Sequence, residues 1–405
     1  MNNSNQNDVN QNSAAHNNLS ESDAIGHSVT QKTGVQSEAG IQDSNNKAFS
    51  HEFQPRLGIL ITNLGTPDAP TSSALRTYLK QFLWDPRVVD YPRIMWWFIL
   101  QVILLIRPAK SAHAYQKVWT EEGSPLLSIS NKQLQALRAE LKDAIKMPHS
   151  VALGMRYGNP SIPAALKTLR DANVTHVLVL PLYPQYSSST TASTLDAVAQ
   201  AVKNWRYVPE FRFVNSYHDN TDYIDALAAS VQEAWQTRQQ PDKLLFSFHG
   251  TPKRFLTTGD PYYCQCHKTA RLVAEKLSLQ QDQWQLTFQS IFGREEWLKP
   301  YTIETLKSLG SEGDKTVDVI CPGFSADCLE TIEEIDQENR DAFISAGGKE
   351  YHYIPALNDR DDHIQALGNI VRKNIQGWDS EWKPGEANEN NQARLQRAKA
   401  MGASQ

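Results

Sequence analysis

Ile59-Leu-Ile-Thr-Asn-Leu-Gly-Thr-Pro67 has a second version later in the chain, Leu244-Leu-Phe-Ser-Phe-His-Gly-Thr-Pro252. Each is an apolar run of strand length that stops at Gly-Thr-Pro, the punctuation of a tight turn. Two further pairs keep the same order. Leu153-Gly-Met-Arg156 takes the slot of Leu286-Thr-Phe-Gln289. Val179-Leu-Pro-Leu-Tyr183 takes that of Ile320-Cys-Pro-Gly-Phe324, each followed by Ser and a helical pattern. One such pair is the ordinary likeness of one buried strand to another. Three in register predict a duplicated domain, with a cleft between the copies and His249 standing where the first copy has Leu64.

Outward from these anchors, short apolar runs alternate with helical patterns. Strands are predicted at 57–63, 151–155, 176–180, 243–248, 285–289 and 316–321, and helices at 131–146, 162–171, 191–205, 223–238, 268–277 and 329–346. Near-continuous apolar strands separated by helices predict an α/β fold with parallel sheets covered on both faces. The body is expected over 55–383, with halves at 55–215 and 216–383. Residues 1–54 are rich in Asn, Gln and Ser and cannot bury enough apolar surface to offset ordering, so a disordered polar extension is expected there. Residues 384–405 read as a polar tail in which 393–400 forms a frayed helix.

Hydrophobic residues are 40% and charged residues 21% of the 405, as in soluble globular proteins. A net charge of −5 gives no reason to expect a nucleic-acid partner. The four cysteines, Cys264, Cys266, Cys321 and Cys328, are too sparse for a disulfide scaffold, which suits a reducing compartment. The amino end lacks the basic and apolar regions of a secretory signal, so a cytoplasmic location is expected. The run Ile94-Met-Trp-Trp-Phe-Ile-Leu-Gln-Val-Ile-Leu-Leu-Ile106 is too short to cross a bilayer. Two readings fit it: a buried core helix, or a greasy lip that contacts an apolar ligand or the inner face of a membrane.

Ligands of open α/β sheets sit at the carboxyl ends of the strands. His249 falls at such an end, before a glycine that permits close approach, and is a candidate base or metal ligand. The second candidate stretch is Pro322-Gly-Phe-Ser-Ala-Asp-Cys-Leu-Glu330-Thr-Ile-Glu333-Glu334, where a strand gives way to a helix. Asp327 and Glu330 have capping-box spacing, which alone explains both. Alternatively, Glu330, Glu333 and Glu334 form an acidic rail that passes a divalent cation toward the cleft.

The stretch Ser247-Phe-His-Gly-Thr-Pro-Lys-Arg-Phe-Leu-Thr-Thr-Gly-Asp-Pro-Tyr262 resembles the signature of ferrochelatases. So, in the family's order over about 57–360, do Leu64-Gly-Thr-Pro67, Gly123-Ser-Pro125, Met155-Arg-Tyr157, Tyr183-Pro-Gln-Tyr-Ser187, Phe288-Gln-Ser290 with Trp297, and Pro322-Gly-Phe-Ser325 with Glu330. The resemblance implies two similar Rossmann-like, chelatase-type domains with a porphyrin cleft between them. It implies insertion of ferrous iron into a porphyrin, expected to be protoporphyrin IX with coproporphyrin as alternative, to make haem. His249 would be the base and Glu330 the metal and proton partner, both touching iron, although the opposite assignment of proton removal stays open. Arg107, Lys110 and Ser124 would hold the propionates, and Leu64, Tyr183, Trp297 and Phe324 would pack on the ring.

Two departures from the family pattern stand out. Cys328 replaces a histidine that animal members carry two residues before the glutamate. The C-terminal cysteines that hold an iron–sulfur cluster in animal members have no match. No cofactor beyond the substrate Fe²⁺ is therefore expected, and the four thiols read as scattered reduced cysteines rather than cluster ligands. The Gly-Thr-Pro turns are not nucleotide-binding loops. Two other readings compete: a chelatase for a more reduced tetrapyrrole such as sirohydrochlorin, and a porphyrin carrier that would need an axial ligand but not Glu330. Monomer and dimer both fit the sequence.

Overall fold

The computed structural model describes residues 54–403, apart from 294, 314 and 381. Of the extension expected to be disordered over 1–54, all but Gln54 lies outside the described residues. Two four-stranded parallel sheets form the body. The first contains β1 (Leu57–Thr66), β2 (His149–Gly158), β3 (His176–Pro181) and β4 (Glu210–Phe213), in spatial order β2-β1-β3-β4. The second contains β5 (Lys243–His249), β6 (Trp284–Gln289), β7 (Thr316–Ile320) and β8 (Glu350–Ile354), in order β6-β5-β7-β8. The two orders are the same permutation, as the repeat predicts. Ile61 lies between Leu153 and Leu180, and Phe246 between Leu286 and Ile320. Past the first neighbour strand, the Met155 N–H donates to the Pro160 carbonyl, as Phe288 does to Pro300. The likeness slips by one residue at the third strand, because Ile320, not Cys321, matches Leu180 beside the central strand.

The central strands β1 and β5 are buried along nearly their whole length, as strands covered on both faces must be. The edge strands β4 and β8 are short and partly exposed, and no run of apolar residues marks them. Helices over Thr302–Ser311 and Asp361–Asn374 likewise add to the predicted set, and Pro384–Ala400 is helical through most of the expected tail.

One apolar core runs through both halves, with Ile59, Ile61 and Leu178 in the same cluster as Leu244, Phe246 and Ile320. A buried glutamine stitches them together. The Gln133 side-chain amide donates to the Ser325 and Asn358 carbonyls at 2.8 and 3.0 Å. The end of the second half returns to the first: Arg212 of β4 donates to the carbonyls of Asn374 and Gln376, and Asp379 accepts the Met147 N–H.

The first half carries three helices between β1 and β2: α1 (Ser72–Trp84), α2 (Arg93–Val118) and α3 (Pro125–Leu141). The apolar run at 94–106 does not end where it was read to end. It is the first part of α2, 26 residues long, and by length and composition apolar enough to cross a membrane. Its two faces differ. Trp96, Leu100 and Leu104 lie on one stripe and pack on Leu83, with the Trp96 indole N–H donating to the Leu83 carbonyl at 2.7 Å. Trp97 is 48% exposed, Phe98 62% and Leu105 73%. The core-helix reading thus holds for one face, while the other face is apolar and exposed.

Candidate active site

The two central strands end differently. At the close of β1, Gly65 has φ +100° and any side chain there would collide with the Tyr157 carbonyl. At the close of β5, Gly250 keeps an ordinary φ, but its Cβ would stand 2.8 Å from the Gln289 carbonyl and 3.2 Å from Trp297. Glycine is needed there for close approach to β6 rather than for a left-handed turn. This tight seam fixes His249 at the strand's edge. Its Nδ1 lies 2.7 Å from the Gly250 carbonyl. A carbonyl only accepts, so Nδ1 is the donor in this contact and Nε2 is the nitrogen it leaves unengaged.

A buried relay links this strand end to the acidic helix. The Ser247 hydroxyl donates to the Gln289 side-chain oxygen at 2.8 Å, and the Gln289 amide donates to the Glu330 carbonyl at 3.0 Å. The helix expected over 329–346 is present, but its first turns are wider than those of an α-helix. Glu330–Asn339 is a π-helix, continued by a short α-helix over Arg340–Ser345. Such wide turns are rare and concentrate at functional sites.

The capping box does not form. Leu329, not Asp327, holds the cap position, and no side chain caps the helix. The Asp327 carboxylate instead accepts from the Thr331 and Tyr353 hydroxyls, the Ala356 N–H and the Asn358 amide. Glu330 is thereby released from a capping role. The Cys328 thiol bonds to it, and it lies close enough to Tyr78 and Tyr115 to reinforce the rise that burial imposes on both phenols.

The acidic rail divides in two. Glu334 accepts the Ser290 N–H at 2.7 Å and also the Ser290 hydroxyl. Burial pushes its carboxyl above the usual glutamate range and Glu330 adds to the rise, while Ser290 and His249 oppose it. Glu334, Glu330 and His249 thus form one electrostatic group. Glu333 belongs elsewhere, 3.2 Å from Lys117 of α2. Burial also pushes Glu338 up, with Glu333 adding and Lys117 and Lys110 opposing.

The remaining predicted residues occupy the surroundings. Leu64 and Phe324 pack on the same small cluster of Leu126, Ala326 and Cys328. The Tyr183 hydroxyl and the Trp297 indole N–H are buried without a partner among the described residues. Ser124 is buried, its hydroxyl accepting from Thr66 at 2.8 Å. The Arg107 guanidinium lies 4.7 Å above the Phe292 ring. Cys264 is exposed, and Cys266, Cys321 and Cys328 sit in three different apolar clusters, where burial pushes each thiol up. Gln289 and Ser290 stand in the sequence only within the repeat and the family motif, with no role given to them, and the two phenols were not singled out from sequence. The strand-end rule that found His249 would have found Gln289 and Ser290, because β6 ends beside β5.

Twin parallel sheets, with an imidazole and two carboxylates near the strand ends of one of them, define an α/β protein of the kind that binds its ligand at the carboxyl ends of its strands. A family model for ferrochelatase matches residues 56–375. The ferrochelatase of Thioalkalivibrio sulfidiphilus is 55% identical over 87% of this chain and 96% of its own length. That of Hydrogenovibrio crunogenus is 57% identical over 82% of this chain and 90% of its own. Among solved structures, SirB from Bacillus subtilis with Fe3+ aligns with 12% identity and a TM-score of 0.48, covering 81% of this chain and 99% of that one. The chain belongs to the ferrochelatase family, enzymes that insert iron into a porphyrin in haem biosynthesis.

Proposed function

We propose that this enzyme inserts ferrous iron into protoporphyrin IX to form protohaem, using His249, Glu330 and Glu334. The observation that carries the reading is the His249 Nδ1 contact with the Gly250 carbonyl, which leaves Nε2 as a lone-pair donor beside two carboxylates. The reaction must release two pyrrole protons as one Fe²⁺ enters, and it must strip water from the metal. His249 Nε2 takes one pyrrole proton. Glu330 exchanges with the iron's waters and takes the second proton, and Glu334 hands the cation on to it. Arg107, Lys110 and Ser124 hold the propionates, while Leu64, Tyr183, Trp297 and Phe324 grip the ring. Binding energy at the rim is then available to bend the ring and tilt its nitrogen lone pairs toward the metal.

No iron–sulfur cluster belongs to this reading, and the separation of the buried thiols into three clusters supports that. The exposed face of α2 rests on the inner membrane face of the cytoplasm, where an apolar porphyrin is concentrated. Purified protein supplied anaerobically with Fe²⁺ and protoporphyrin IX should make haem, and His249→Ala should abolish turnover while porphyrin still binds. Turnover of His249→Ala within tenfold of the parent would remove His249 as the base. Faster turnover with coproporphyrin would reassign the substrate.

A further inference from the structure

The loop that joins β6 to the next helix arches between the acidic site and the histidine strand. It is anchored at one end by Ser290 on Glu334. At the other, Lys253 N–H donates to the Glu296 carbonyl and Leu298 N–H to the Thr251 carbonyl. Between these anchors Ile291 and Phe292 are exposed. Phe292 reaches α2 of the first half, where the Arg107 guanidinium covers its ring at 4.7 Å. A second bond joins the same parts: Arg254 pairs with Asp90, just before α2, at 2.9 Å and with Glu295 of the loop at 2.7 Å.

A guanidinium held over an aromatic ring by a cation–π contact uses none of its five N–H donors in that contact. No described residue takes a hydrogen bond from Arg107. The ring therefore restrains a long, rotamer-rich side chain while leaving its carboxylate-binding edge open. We propose that Phe292 is a positioning residue for the porphyrin carboxylate, holding the Arg107 fork in the orientation that receives it. The inference rests on the reading that Arg107 binds a propionate. Phe292 touches Arg107 and not the reacting nitrogens, so its effect falls on substrate binding rather than on metal insertion.

Steady-state kinetics with protoporphyrin IX and with its dimethyl ester, dispersed in the same detergent, test this. Phe292→Leu should raise KM for the diacid about two- to fivefold, the worth of an exposed cation–π contact. It should leave kcat and the melting temperature near the parent values and the ester's KM unchanged. Phe292→Tyr should restore the parent KM. In an Arg107→Ala background, Phe292→Leu should add nothing further. An equal KM rise for diacid and ester, or full additivity with Arg107→Ala, would show Phe292 to be only an apolar wall and overturn the inference. If Arg107→Ala itself fails to separate diacid from ester, the carboxylate reading of Arg107 falls, and the role of Phe292 falls with it.

Discussion

Glu334 accepts both the N–H and the hydroxyl of Ser290, yet its carboxyl ionises at a higher pH than an ordinary glutamate, because it is buried and next to Glu330. A carboxyl whose pKa rises on folding favours the folded state while protonated, below its unfolded pKa. That advantage is lost as pH climbs through the raised value. Ionising Glu334 therefore weakens the fold in exchange for a charge in the site. Glu334→Gln can still accept the Ser290 N–H through its amide oxygen. It should melt at a higher temperature than the parent on the alkaline side of the Glu334 ionisation, with the gap closing in acid, while kcat for iron insertion drops at least tenfold. Thermal melts across pH, paired with turnover assays, check both halves of this. A variant that is fully active and no more stable would reduce Glu334 to an anchor for the Ser290 loop.

In α2, residues adjacent in sequence have opposite environments. Trp96 is 6% exposed with its indole bonded to Leu83, whereas Trp97 points outward beside Phe98. Trp96→Ala should cost roughly 3–5 kcal/mol, as large-to-small core changes do. Trp97→Ala should leave stability within ~0.5 kcal/mol and weaken sedimentation with anionic lipid vesicles. Urea unfolding and vesicle co-sedimentation separate the two, and equal destabilisation would make the whole segment core. The sequence could not tell these tryptophans apart, because a run with one polar residue in thirteen has no polar face from which to measure periodicity. Where that face exists the reading is sharp. The helix Ile162–Asp171 has the bounds expected, with Ser161 capping it through the Ala164 N–H. Asp327 failed in the other sense. Its capping spacing was genuine, but Tyr353 in the next strand and Ala356 and Asn358 just after it reach the carboxylate, and local spacing carries no trace of them.

Across the whole molecule, the shared core and the return of the C-terminal segment to β4 bind the halves into one cooperative body. His363 lies in the helix Asp361–Asn374 that packs on α3, fully buried, with Nδ1 bonded to the Asn358 carbonyl. Burial lowers its pKa from 6.5 to about 4. A histidine kept neutral in the fold supports stability above its unfolded pKa and ceases to do so as pH falls through the folded value. Acidification from pH 6.5 to 4 should therefore remove about 3 kcal/mol through this residue. Tryptophan fluorescence and far-ultraviolet circular dichroism should report one coincident transition at each pH. His363→Gln, which cannot take up the proton, should flatten the acid limb. Two separated transitions would show that the halves unfold independently.

The unlike ends of β1 and β5, Leu64 and His249, bear on how such a molecule could arise. A symmetric pair of separate chains must present the same residue at both strand ends, so a reactive imidazole on one copy obliges one on the other. Joining the copies in one polypeptide lifts that obligation. One copy can keep a leucine and carry inserted helices, while the other keeps the imidazole and its neighbouring carboxylates. Two like sheets in one polypeptide can therefore differ wherever a symmetric dimer of separate chains would have to repeat itself.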